Sequence, residues 1–163
     1  MKKIKFFLII FSLSFFSNCG FEPIYSSHNK SNEELLHISV KNIKDRAGQI
    51  LKNDLSKKLN PQNKKTITKY YLFVDLSENI EETGIRKDMS ATRANLKINA
   101  EYKLLTVKDA EIILKSSIEA LSSYDIVESI YATIIAEKDA RNKGLKIISD
   151  SIINELAIYF NNK

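Results

Sequence analysis

The 163-residue sequence has no tryptophan, one cysteine, two prolines, two histidines and four glycines. Each shortage closes a class of function. With Cys19 as the only thiol, no disulfide forms within the chain. Glycines at 20, 48, 84 and 144 build neither a phosphate-cradling loop nor a glycine-framed nucleophilic serine. His28 and His37 stand in no metal-ligand spacing. The neighbouring carboxylates Glu33-Glu34 and Glu81-Glu82 lie in charged stretches of the kind that stay solvated. No catalytic residue, metal ligand or cofactor is assigned, and an enzyme is not expected. Strong charge is missing too. Removing Lys2, Lys3 and Lys5 with a leader takes the formal +5 down to +2, which gives nucleic-acid binding no support. The longest apolar run, Ile4 to Phe16, is about 13 residues, short of the roughly 20 that span a bilayer.

What is present begins with that run. A basic start, an apolar stretch and the small or polar pair Ser17-Asn18 before Cys19 have the layout of an export signal. Phe16-Ser17-Asn18-Cys19-Gly20 resembles the bacterial lipobox, with Phe16 where leucine is usual and Asn18 where glycine or alanine is usual. That resemblance implies a lipoprotein signal peptide over 1–18 and acyl chains on Cys19. Several chains on one residue make a durable anchor, because each buried methylene contributes about 0.8 kcal/mol. Gly20, not being aspartate, points to the outer membrane. Residues 19–34 are polar, contain Pro23 and show no periodicity, so they read as a tether.

Residues 35–163 read as a single α+β domain. Leu36, Ile38 and Val40 alternate as a short strand does. Asp45 is placed to cap a helix whose apolar positions are Ala47, Ile50, Leu51, Leu55 and Leu59, ending at Asn60-Pro61. Tyr70 to Leu76 reads as a second strand, and the charged segment Glu78 to Met89 as a mobile loop or strand-end excursion. Residues 93–121 then alternate apolar and polar side chains through a turn at Lys108-Asp109-Ala110, as a long hairpin does. A last helix is expected from near Ser129 to Phe160, with a small-residue row Ala132, Ala136, Ala140, Gly144 and a bend near Gly144. The expected architecture is a four-stranded, mostly antiparallel sheet with two helices packed on one face, in the order β-α-β-β-β-α.

Two features remain for function. Arg86, Lys87 and Asp88, with Arg93 shortly after, cluster where the hairpin begins, and guanidinium groups at a strand end suit phosphate or carboxylate. The alternative is an exposed loop with ordinary ion pairs. Tyr124, Tyr131 and Tyr159 either face a partner or cap the core.

Four blocks in order carry a family resemblance. They are Cys19-Gly20-Phe21-Glu22-Pro23-Ile24-Tyr25; Asp45-Arg46-Ala47-Gly48-Gln49; Gly84-Ile85-Arg86-Lys87-Asp88 with Ala91-Thr92-Arg93-Ala94-Asn95-Leu96; and Ser123-Tyr124-Asp125, followed by Tyr131-Ala132-Thr133 and Ala136-Glu137-Lys138-Asp139-Ala140-Arg141. Together they resemble the LPS-assembly lipoprotein LptE, in the divergent branch whose mature start is Cys-Gly-Phe-x-Pro-Leu-Tyr. The resemblance implies a non-enzymatic outer-membrane lipoprotein of Gram-negative bacteria, anchored on the periplasmic side through Cys19. In that family the protein plugs the LptD β-barrel translocon, assists its assembly and helps deliver lipopolysaccharide to the outer leaflet. Arg86, Lys87 and Arg93 would then meet acidic lumen residues or the phosphates of lipid A. Another outer-membrane lipoprotein, scaffolding barrel insertion or binding peptidoglycan, is the alternative.

Overall fold

The computed structural model describes residues 30–85 and 91–162. The signal peptide at 1–18, Cys19, most of the tether, and Arg86 and Lys87 lie outside the described residues. The elements are α1 (Lys30–Leu35), β1 (Ile38–Val40), α2 (Asp45–Leu59), β2 (Tyr70–Ile85), β3 (Ala91–Thr106), β4 (Ile112–Asp125) and α3 (Ile130–Asn161). The sheet order is β1-β2-β3-β4, with β1 parallel to β2 and the other two pairings antiparallel. This is the expected α+β sandwich with one short helix added in front.

That helix, α1, occupies the stretch that reads as the end of a tether. Six residues are too few for a period of 3.6 to show in the sequence. Contacts with the domain hold it in place: Leu35 is buried, and Glu34 pairs with Lys69 at 2.8 Å. His37, which reads as a chemistry-bearing candidate only in isolation, is structural, its Nδ1 lying 2.7 Å from the Ile67 carbonyl.

In α2 the buried residues are Gly48, Leu51, Leu55 and Leu59, three- and four-residue steps along one face. Asp45 does not cap the helix as its sequence position suggests. Lys44 holds the cap position without a side-chain hydrogen bond, and Asp45 opens the helix at φ +64°, a left-handed conformation that aspartate tolerates better than most residues. Gly48 lies so close to the preceding loop that a Cβ there would come 2.6 Å from Ile43 Cγ2 and 2.9 Å from the Ile43 carbonyl carbon.

The largest departure from the sequence reading is β2. It runs on beyond Leu76, through Glu78 to Ile85, as a ladder against β3 from Glu78↔Ile98 to Ile85↔Ala91. Glu78, Glu81 and Glu82 hide a strand because this half of it buries almost nothing. Its backbone is satisfied by β3 alone, whose own pattern is strong enough to template it.

Residues of even number on β2 and β3, and on β4 from Leu114 onward, face the helices; a register shift at Leu104/Leu105 puts Ile112 opposite Leu105 on the other face. The pairs Leu72↔Leu104, Val74↔Tyr102, Ile98↔Ala120 and Leu104↔Leu114 form the floor of the core. Leu51 and Leu55 of α2 and Ile148, Ile152 and Leu156 of α3 close over it, all fully buried. Ser129 caps α3, accepting from the Ala132 amide at 3.4 Å. The helix runs continuously through Gly144, the position of the bend expected from the sequence. The glycine admits Ile98, whose Cδ1 lies 2.9 Å from the position of a Cβ on residue 144.

A half-buried polar cluster ties α2 to α3. Lys58 Nζ lies 2.7 Å from Asp54 Oδ2 and 2.7 Å from Asp150 Oδ1, and it donates to the buried Ser149 hydroxyl at 3.1 Å. Burial alone would raise the Asp54 pKa, but hydrogen bonds from Lys58 and Ser149 outweigh it and hold the carboxyl below its usual range. A depressed carboxylate contributes stability that is present above its unfolded pKa and lost as pH falls through the folded one. Lys58→Met is therefore expected to cost about 1–2 kcal/mol at neutral pH, a figure reduced for partial exposure. In denaturant titrations the difference between variant and parent should begin to shrink as pH falls below about 4. An unchanged difference at pH 3 would assign the cost to packing instead.

Candidate functional site

Because the helices close one face of the sheet, the odd-numbered face is open. It is mostly polar, with Phe73 and Leu121 exposed among the polar side chains. Lys97 pairs with Glu119 at 2.8 Å, Ser123 donates to Asn95 at 2.7 Å, and Arg93 Nε lies 3.1 Å from Asp125 Oδ1. At the other end Lys41 stands 3.4 Å over the Tyr71 ring and Lys103 lies 5.5 Å from that of Phe73. The hydrogen bond to Glu119, its largest influence, raises the pKa of Lys97 and favours the ammonium form.

Arg93, the one sequence candidate within the described residues, thus lies on this open face near the end that carries the 85–91 connection. Its ion pair with Asp125 is exposed on both sides and links β3 to β4. This is the ordinary ion pair that the sequence allows as an alternative, and a guanidinium nitrogen not committed to it remains toward solvent. Arg86 and Lys87 lie outside the described residues, five residues or fewer from the strand ends that frame them.

The same end carries a second surface, on the helix side, that the sequence reading does not single out. Beyond Leu76, α2 no longer covers β2, and a groove of about 530 Å³ opens between the start of α2 and the first half of α3. Leu76, Ile50 and Ile134 contribute apolar lining. Arg141 crosses it, bound to Glu78 at 2.9 Å and Glu137 at 2.7 Å. Burial would lower the Arg141 pKa, but both carboxylates raise it, so the guanidinium keeps its charge. Past the groove, Ile80, Val127, Ile130, Tyr131, Ile134 and Ile135 are all exposed, Ile130 and Tyr131 by three quarters.

The small-residue row on α3 accounts for the burial of Ala140 and Gly144, whereas Ala132 is exposed. The sequence does carry a signal for the exposed patch: Ile130-Tyr131 and Ile134-Ile135 double the apolar stripe, giving that half of the helix more apolar surface than one sheet can bury. Of the three tyrosines, Tyr131 faces solvent, Tyr124 is half-buried against the core, and Tyr159 stacks edge-on against Phe160.

Among the described residues no three or more His, Cys, Asp or Glu side chains are grouped to hold a metal ion, and no helix is long and apolar enough to cross a membrane. What the surface offers is binding area: a polar sheet face on one side and an apolar rim at one end.

No protein-family model matches the chain, and no curated protein sequence matches it. Solved structures do share its fold. A lipoprotein from Caulobacter crescentus CB15 superposes with a TM-score of 0.66 at 22% identity, covering 82% of this chain and 97% of that one. The rare lipoprotein B from Shewanella oneidensis gives a TM-score of 0.57 at 12% identity, with 77% and 95% covered. A lipoprotein B from Nitrosomonas europaea gives 0.56 at 15% identity, with 76% and 83% covered. The chain therefore has a fold found in bacterial lipoproteins.

Proposed function

We propose that this chain is an outer-membrane lipoprotein of the LptE kind, held on the periplasmic side by acyl chains on Cys19. It acts without catalysis as a plug and assembly partner of an LptD-like β-barrel and assists delivery of lipopolysaccharide to the outer leaflet. The observation that supports this most directly is the division of the sheet into a face sealed by helices and a face left open and polar over three long strands. A barrel lumen is polar and wet, and a rigid sheet of matching character fits inside it without burying unpaired groups. The exposed apolar rim at the end of the sheet suits contact with a second protein surface. The lipobox at 16–20 and a fold shared with rare lipoprotein B support the same reading.

Arg93, with Arg86 and Lys87, then serves as a cationic contact for acidic lumen residues or lipid phosphates. The test is a detergent pull-down from outer membranes through a C-terminal tag. The parent chain should bring down a β-barrel and lipopolysaccharide, and mass spectrometry should find Cys19 acylated. The triple variant Arg86→Ala, Lys87→Ala, Arg93→Ala should recover severalfold less of either species. Loss of the exposed Arg93–Asp125 pair should meanwhile change stability by less than about 1 kcal/mol. An unmodified Cys19 thiol in a soluble periplasmic pool without a barrel would overturn the function. Undiminished recovery by the triple variant would overturn only the three contacts.

A further inference from the structure

Both long edges of the sheet are free among the described residues. β1 pairs with β2 only from Tyr70 to Leu72, and β4 pairs only with β3. An unpaired edge is a template for another strand unless charge or shape protects it. The β2 edge carries four acids, Asp75, Glu78, Glu81 and Glu82, whose like charge opposes the approach of a second copy. The β4 edge lacks that protection. From Ile112 to Tyr124 its only charged side chains are Lys115 and Glu119, and the polar remainder is the uncharged Ser116, Ser117, Ser122 and Ser123.

We infer that two copies of this chain pair along β4, antiparallel and centred on Ser117, so that Lys115 of each copy stands opposite Glu119 of the other. The backbone geometry permits this register. The Ile126 amide donates to the Thr92 carbonyl at 2.9 Å, and the β3–β4 ladder is unshifted from Arg93↔Asp125 to Leu104↔Leu114. Even-numbered residues of β4 therefore direct their N–H and C=O groups toward β3. Odd-numbered ones, including Lys115, Ser117 and Glu119, direct theirs to the free edge. Centring on Ser117 sets odd residues against odd residues and forms about six backbone hydrogen bonds over these three positions.

The side chains select among the permitted registers. Centring on Lys115 sets lysine against lysine, and centring on Glu119 sets glutamate against glutamate. Centring one residue to either side of Ser117 puts each charge opposite Ser117, Ile113 or Leu121. Only the Ser117 centre joins both charges twice, and cross-strand pairs of opposite sign stabilise while like pairs do the reverse. The same register brings Leu121, 61% exposed, beside the Ile112-Ile113 segment of the second copy. Leu114, Ser116 and Ile118 on the helix side stay partly exposed, so the helix layer leaves room over this edge. Lys115 has no ion-pair partner among the described residues, whereas Glu119 already holds Lys97.

The test uses the full chain in detergent, carrying Cys19→Ser so that any introduced thiol is alone. Ser117→Cys should form a disulfide dimer on mild oxidation, because residues facing each other in a hydrogen-bonded pair lie about 5.5 Å apart at Cα, inside the range a disulfide bridges. Ser123→Cys, far from its own copy in this register, should not. By sedimentation at high micromolar concentration, Lys115→Glu should weaken dimerisation about tenfold, and so should Glu119→Lys. The double variant should restore it. A chain that stays monomeric, a dimer indifferent to both charge reversals, or a Ser117→Cys thiol that cross-links only to a different protein would each overturn the proposal.

Discussion

Ile98→Ala is expected to lower the unfolding free energy by about 3–5 kcal/mol. Ile98 is fully buried in the middle of β3, beside Ala120 of β4 and beneath Gly144 of α3. Two of those neighbours have little or no side chain, so nothing close by can swing in to fill the space. A cavity that cannot collapse adds its own cost to the lost transfer free energy. The position of a Cβ on residue 144, 2.9 Å from Ile98 Cδ1, makes the two residues a size-matched pair. Gly144→Leu alone should therefore cost about 1–3 kcal/mol by overpacking. In the double variant the new leucine should enter the space vacated at 98, so the combined loss should fall well below the sum. Denaturant unfolding of the four chains checks this. Strict additivity, or a loss below about 1 kcal/mol for Ile98→Ala, would mean that helix and sheet do not meet there as described.

Tyr102→Phe should give the second large effect, and a diagnostic one. Tyr102 is buried under α3, and its hydroxyl donates to the Glu155 carboxylate. A hydrogen bond to a charged group contributes about 1.5–3 kcal/mol, and its removal leaves Glu155 without that partner in a half-covered position. Burial, then the bond to Glu155, pushes the tyrosine pKa well above its usual value near 10. A raised pKa in an acid that is neutral when folded means that the contribution is whole below the unfolded pKa. It is lost as pH climbs above about 10, where the unfolded chain ionises first. The cost of Tyr102→Phe should accordingly be constant from about pH 6 to 9 and shrink above about pH 10. The phenylalanine chain should show a flatter alkaline limb in unfolding monitored by circular dichroism. A cost that persisted unchanged at high pH would show that the hydroxyl contributes by packing alone.

How far the sequence carries the fold depends on how much each element buries. β3 is legible residue by residue because it is covered on its even face from Ala94 to Leu104 and flanked on both edges, so burial writes an alternation along most of its length. The far half of β2 is not, because its pairing is a backbone matter and its side chains bury little apolar surface: Asn79, Glu81 and Glu82 are exposed, and Glu78 answers to Arg141. The opening of α2 misleads for a different reason. Aspartate before an amphipathic run suits a cap, yet the chain enters this helix through a left-handed residue, with Ile43 packed close on Gly48, an arrangement that no local pattern encodes. The binding surfaces are legible in part. Arg93 stands out because charge clusters do, whereas the rim at Ile130, Tyr131, Ile134 and Ile135 is absorbed, on sequence alone, into a core it exceeds.

Since the pleat of β3 sends Leu96, Ile98 and Ala100 one way and Lys97, Asn99 and Glu101 the other, its packing and its recognition surface are written in a single reading frame. Adding or removing one residue within that strand would drive ammonium and carboxylate groups into the apolar layer and turn the apolar layer outward. Such a frameshift in three dimensions would cost more than replacing any one side chain of the strand. Changes of length are therefore tolerable only at the turns, and the strand can evolve by exchange of letters but not by their insertion or loss.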